Sequence, residues 1–334
     1  MEAHSTLKPA PDESTADKSK RYRPEIDGLR AIAVSLILLF HLGLPGLAGG
    51  YIGVDIFFVI SGYLITRSIV SDIRSGRFSF KRFYYRRARR LFPAYSTTLL
   101  LTAAASALIL SSEHLYRFGQ ALLSSLFWVS NLFFWSESGY FDISSHYKPL
   151  LHTWSLSVEE QFYLLWPGMM VLLLGLRSRL AAPLVLGALS LLSLLATEYW
   201  LGRNASTAFY WLPFRVFEFG LGALVIWLEK GFILRNDLSR SASGILGLLL
   251  IGHAALSFNA ETPFPGINAL YPCLGTALLI HAGASTVSKI VLQNRLSIFL
   301  GLISYSVYLV HWPIIVLYGY WDSADFSALE QVSI

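Results

Sequence analysis

The sequence predicts an all-α, polytopic membrane protein, on three observations. Of its 334 residues 54% are hydrophobic and only 14% charged, against roughly 25% charged in ordinary soluble domains. About ten apolar segments recur along the chain, most near the ~20 residues that cross a bilayer as a helix. Their long runs lack the two-residue alternation of barrel strands, and lipid leaves no third option. Cys273 stands alone, which excludes an internal disulfide framework and a cysteine-rich metal site. The net charge of +5 is no sign of nucleic-acid binding. Most Lys and Arg lie in short stretches beside apolar runs, where they set topology and meet anionic headgroups.

In order along the chain, residues 1–23 are polar and contain Pro and Ser, as in a disordered cytoplasmic tail. The first apolar run starts too late for a cleavable signal. Residues 24–334 then form one integral-membrane domain. Its apolar segments are 29–45, 51–72, 93–112, 117–136, 153–176, 181–201, 210–228, 242–258, 269–284 and 297–320. Lys18, Lys20, Arg21 and Arg23 hold the N-terminus in the cytoplasm, and the basic stretch 67–90 returns there after two crossings. The cations after residue 176 also read as cytoplasmic, which strict alternation over ten spans would not allow. One segment between 93 and 152 is therefore expected not to cross fully. No internal repeat is visible.

Several polar constellations interrupt the apolar runs. Arg30 and His41 are separated by ten residues. Eleven steps of about 100° return a helix to within roughly 20°, so the two share a face about 16 Å apart. Asp27 lies one turn before Arg30 on nearly the same face. Ionisable groups at membrane depth are functional candidates, although an anchoring arginine and an interfacial histidine are the plainer reading. His41, as an imidazole, suits proton removal from a hydroxyl. In GGYIGVDIFFVISGYLIT the glycines permit close packing, but packing does not account for Asp55 or Ser61. In FYYRRARRLFP, Arg87 and Arg90 are three apart. They either grip a phosphate or lie on anionic lipid. In HTWSLSVEEQFYLLWP, Ser157 and Gln161 are one turn apart beside Glu159 and Glu160. That is more polarity than a helix start needs. Arg215 and Glu218 read as a structural pair, and His311 before Pro313 as a structural histidine at a kink. No zinc-ligand spacing, Walker loop, dinucleotide fingerprint or G-x-S-x-G elbow occurs.

Taken in order, IDGLRAIAV with its R-x10-H spacing, GGYIGVDIFFVISGYLI, FYYRRARRLFP, LLHTWSLSVEEQFYLLWP and YSVYLVHWP resemble the membrane acyltransferase-3 family. That family includes bacterial O-antigen and exopolysaccharide O-acetyltransferases. The resemblance implies a multi-pass protein of the bacterial inner membrane with a cytoplasmic N-terminus. Its activity would move an acyl group, usually acetyl from acetyl-CoA, onto a hydroxyl of a cell-surface saccharide such as lipopolysaccharide, with no metal. It implies catalytic roles for His41, Arg30, Glu159 and Glu160. Arg87 and Arg90, with Arg86 beside them, would hold the acyl-CoA. Asp27, Asp55, Ser157 and Gln161 would meet the acceptor. The family usually continues past H-W-P into a further helix, so this chain is expected to lack its final one. On the residues alone a second class stays open, a proton-coupled transporter or flippase with Asp55, Glu159 and His41 as relay. A phosphate clamp and the missing repeat both favour the enzyme.

Overall fold

The computed structural model describes residues 22–138, 147–178, 180–234 and 236–332, and every regular element among them is helical. Residues 1–21 of the expected tail lie outside it. Tyr22 and Arg23, the last residues of that stretch, are anchored. Tyr22 donates to Asp27 at 2.8 Å, and Arg23 pairs with Glu229 at 2.6 Å.

Helix α1, Pro24–His41, opens on a proline, whose missing N–H costs nothing in a first turn. A 3-10 turn, Gly50–Ile52, leads into α2, Gly53–Arg74. Next is α3, Phe80–Ile109, capped by the Ser79 hydroxyl. It runs on through Pro93, so the basic stretch from residue 80 onward and the following apolar segment are one helix. The apolar run 117–136 does not form a single helix. It divides into α4, Ser112–Leu126, and α5, Ser130–Glu137. Between them Trp128 adopts a left-handed φ of 57°. Fifteen helical residues cover only about 22 Å, short of the hydrocarbon thickness. The division falls within the stretch 93–152, where one segment was expected not to cross fully.

Beyond it come α6, Thr153–Gly175, α7, Ala181–Leu201, and the short α8, Ala205–Tyr210. Helices α9, Val216–Gly231, α10, Asp237–Ser257, and α11, Leu270–Ala282, follow. A short α12, Thr286–Val291, precedes the long α13, Arg295–Val332, which continues through Pro313.

Five of these helical stretches are long and apolar enough to cross a membrane: Gly50–Arg74, Phe80–Ile109, Ala181–Leu201, Asp237–Ser257 and Arg295–Asp322. The expected ten reduce to five by this measure partly through length, since α9 and α11 are short and 117–136 is divided, and partly through charge. Helices α1, α6 and α9 carry Asp27 with Arg30, Glu159 with Glu160, and Glu218.

Helix α1 packs between α2 and α13, and α9 lies along α2 with α7 and α11 at its sides. Glycines set these approaches. A Cβ on Gly62 would overlap the Phe219 backbone, and one on Gly222 would overlap Val59, so α2 and α9 touch main chain to main chain. Gly301 of α13 meets the backbone of Asp27 in the same way. These contacts bring α1, α2, α3, α6 and α13 around one polar interior.

Candidate functional site

Two cavities occupy that interior. The first, of 530 Å³, is walled by α1, α2, α3, α6 and α13. Three guanidinium groups line it, from Arg30, Arg87 and Arg90, against one carboxylate, Glu159. Each is held differently. Asp27 pairs with Arg30 at 2.9 Å one turn away. Arg87 lies flat over the Tyr163 ring, 3.1 Å from its centroid, and its Nε has no hydrogen-bond partner among the described residues. Glu159 accepts hydrogen bonds from the Ser61 hydroxyl and the Tyr163 hydroxyl. The cavity therefore carries a surplus of positive charge with at least one donor unspent. That arrangement receives an anion such as a phosphate.

The second cavity, of 840 Å³, lies beyond the C-terminal end of α1. Asp55, Arg215, His41 and His152 line it, with aromatic walls that include Tyr51, Trp154, Phe264 and Trp312. Arg215 spans Asp55 at 3.1 Å and Glu218 at 2.7 Å, and its Nε donates to the Phe209 carbonyl at 3.0 Å. All three charged side chains are at most 1% exposed.

His41 Nδ1 lies 3.0 Å from His311 Nε2, and His311 Nδ1 lies 2.7 Å from the Tyr308 carbonyl. A carbonyl only accepts, so His311 Nδ1 carries the hydrogen. With both rings neutral, His311 Nε2 is then the acceptor and His41 Nδ1 the donor. The lone pair of His41 is left on Nε2. An imidazole fixed in that tautomer by its other nitrogen is the arrangement a general base requires.

Val54 and Tyr308 line both cavities, which meet back to back at those side chains. The Tyr308 hydroxyl is 2.5 Å from Ser155 Oγ and donates to the His152 carbonyl at 3.0 Å.

The structure sorts the residues expected from sequence. Arg30 and His41 share a face of α1 but serve different cavities, one at each end of that face. Arg87, Arg90 and Glu159 gather in the first cavity, and Asp55 reaches the second. Arg86 does not join its neighbours, because Asp72 captures it at 2.8 Å on an exposed surface. Asp27 and Glu160 line neither cavity. Ser157 and Gln161 are one turn apart, as their spacing required, but they face α5. Ser157 Oγ is 2.8 Å from Ser130 Oγ, and Gln161 donates to Asn131 and to the Trp128 carbonyl at the helix break. Polar groups buried between helices need such partners, and these fasten the broken segment to α6. Sequence reasoning passed over Tyr308, His152 and the cavity face of Arg215. The quoted motifs contain the first two, but no spacing rule brings them to a cavity.

The apolar helices and the two cavities that share Val54 and Tyr308 define a multi-pass membrane protein with a divided polar interior. The chain belongs to the acyltransferase-3 family: residues 23–331 match that family's sequence profile, an acyltransferase domain. It is 33% identical over 319 residues to the peptidoglycan O-acetyltransferase OatA of Listeria monocytogenes, covering 91% of this chain and 51% of the relative. It is 34% identical over 316 residues to the "Putative peptidoglycan O-acetyltransferase YrhL" of Bacillus subtilis, covering 89% and 49%. A "Putative O-acetyltransferase" of Staphylococcus aureus strain MSSA476 is 33% identical over 315 residues, covering 90% and 52%. The chain thus spans about half the length of these relatives. No solved structure matches it.

Proposed function

We propose that the chain is an integral-membrane O-acyltransferase moving an acetyl group from acetyl-CoA to a hydroxyl of a cell-surface saccharide. The observation that carries this reading is the pairing of an arginine-lined cavity with a histidine-bearing one across Tyr308. Arg87, Arg90 and Arg30 hold the phosphates of the donor in the first cavity. The acceptor sugar lies in the second, against aromatic faces of the kind that suit sugar rings. His41 Nε2 takes the proton of the acceptor hydroxyl as its oxygen adds to the acyl carbonyl. A C–O bond forms, the C–S bond breaks, and the thiol leaves with the proton. The names of the relatives make peptidoglycan the first acceptor to try. Mass spectrometry of surface saccharides from cells with and without the gene tests the function, and an unchanged acetyl content would overturn it.

Donor binding makes a sharper expectation. Anionic lipid treats arginine and lysine almost alike, because net charge sets that attraction. A phosphate clamp does not, because lysine lacks the planar fork. The double variant Arg87→Lys, Arg90→Lys is expected to insert normally and to raise the dissociation constant for coenzyme A at least several-fold in calorimetry. Equal affinity would assign both residues to the lipid surface.

The reading also fixes sidedness. The first cavity faces the cytoplasm, where acetyl-CoA is made, and segments 229–241 and 285–296 lie on that side, with 137–151 on the other; 139–146 and 235 are not among the described residues. Asn236 is exposed at the start of α10. On a Cys273→Ser background, a cysteine at that position is expected to resist an impermeant thiol reagent in intact cells. Labelling from outside would invert the arrangement.

A further inference from the structure

His152 closes the turn before α6, is 4% exposed and lines the second cavity. Neither of its ring nitrogens has a hydrogen-bond partner among the described residues. The ring comes near the Leu309 backbone without the geometry of a hydrogen bond. Its main chain, in contrast, is tightly held. The His152 carbonyl accepts from the Tyr308 hydroxyl at 3.0 Å and from Ser155 Oγ at 3.1 Å. The ring packs edge-on against Tyr308 and His311, with centroids 5.7 and 5.8 Å away. It takes no part in the His41–His311 relay. A buried imidazole with its backbone pinned and both nitrogens unspent is costly to keep, and marks a group whose partner arrives with the substrate.

Its position says which part of the substrate. His152 stands at the wall where Tyr308 divides the cavities. An acyl group entering from the arginine-lined side must arrive there to meet His41. Addition to a carbonyl needs a base at the incoming oxygen and a hydrogen-bond donor at the carbonyl oxygen. His41 is committed to the first task by its tautomer. Resting on the acyl-transfer reading above, we propose that His152 is a further catalytic residue, whose ring N–H donates to the oxyanion formed as the acceptor hydroxyl adds to the acyl carbonyl. As the C–O bond forms, the carbonyl π pair moves onto oxygen and meets that N–H. Its return expels the thiolate, which takes the proton held by His41. A donor already fixed in place needs no reorganisation as the charge develops.

The test compares His152→Phe, which keeps an aromatic ring and loses the donor, with His152→Asn, which restores one. Acetyl transfer from acetyl-CoA to a soluble saccharide acceptor is measured on the purified chain in detergent. The phenylalanine variant is expected to lose about 10²-fold or more in kcat. KM for both substrates should stay within a few-fold, and asparagine should recover part of the rate. Should the phenylalanine variant fail to fold, His152→Ala against His152→Asn gives the same contrast of donor absent and donor present. A donor-less variant with wild-type kcat would overturn the proposal, as would equal loss in both variants of a pair. Absence of transfer by the wild-type chain would instead overturn the acyl-transfer reading itself.

Discussion

His41→Ala is expected to lower acyl transfer by about 10²- to 10⁴-fold, the range a general base supplies. Membrane abundance should stay normal. His41 is half-buried, and among the described residues its ring bonds only to His311, which keeps its own bond to the Tyr308 carbonyl when His41 is gone. The fold therefore loses little. Acetylation of the acceptor by the variant, normalised to protein in the membrane, checks the prediction. Near-wild-type transfer would remove His41 from the chemistry and leave its alignment with Arg30 without consequence.

Arg215→Met should act on the fold instead. Arg215 is buried between Asp55 and Glu218, themselves buried, and also holds the Phe209 carbonyl. Methionine fills part of the volume but leaves two carboxylates without their cation. Breaking a buried ion pair from one side costs about 3–5 kcal/mol, because the remaining charge has lost its compensation. The thermal midpoint of the purified protein in detergent should drop by several degrees or more. Arg215→Lys should fall between the two, since it keeps the charge and loses the fork. A methionine variant melting with the wild type would show that the carboxylates find other partners.

Much of the helical framework is legible in the sequence because apolar length is a local property. The runs 153–176 and 181–201 became α6 and α7 almost residue for residue. The break at Trp128 is less legible, because a left-handed tryptophan carries no turn signal of the glycine or asparagine kind. It depends on Gln161, which reaches across from another helix to satisfy the exposed carbonyl. The apolar segment beginning at 93 proved to be the second part of a longer helix, which Ser79 had already capped a few turns earlier.

The site was legible in proportion to the range of its contacts. Arg87 and Arg90 could be placed on one face from spacing alone. Arg86 could not be set apart from them without knowing that Asp72 waits on α2. Ser157 and Gln161 had the right spacing and the wrong face for a cavity, because periodicity relates residues of one helix to each other and not to a neighbour. The partnership of Asp55 with Arg215, 160 residues away, lies beyond any local rule. So does the tautomer of His41, which depends on a carbonyl near the other end of the chain.

That last contact also has a schedule. His41 and His311 are 270 residues apart. Ribosomes add about 5–20 residues per second, so roughly 15–50 s separate the synthesis of the two imidazoles. Through that interval α1 sits in the bilayer without α13 against it, and neither cavity has its full wall. The growing chain has no fixed tautomer at His41 and no tyrosine between the chambers. A chain whose synthesis stops before α13 thus lacks the wall that both cavities share.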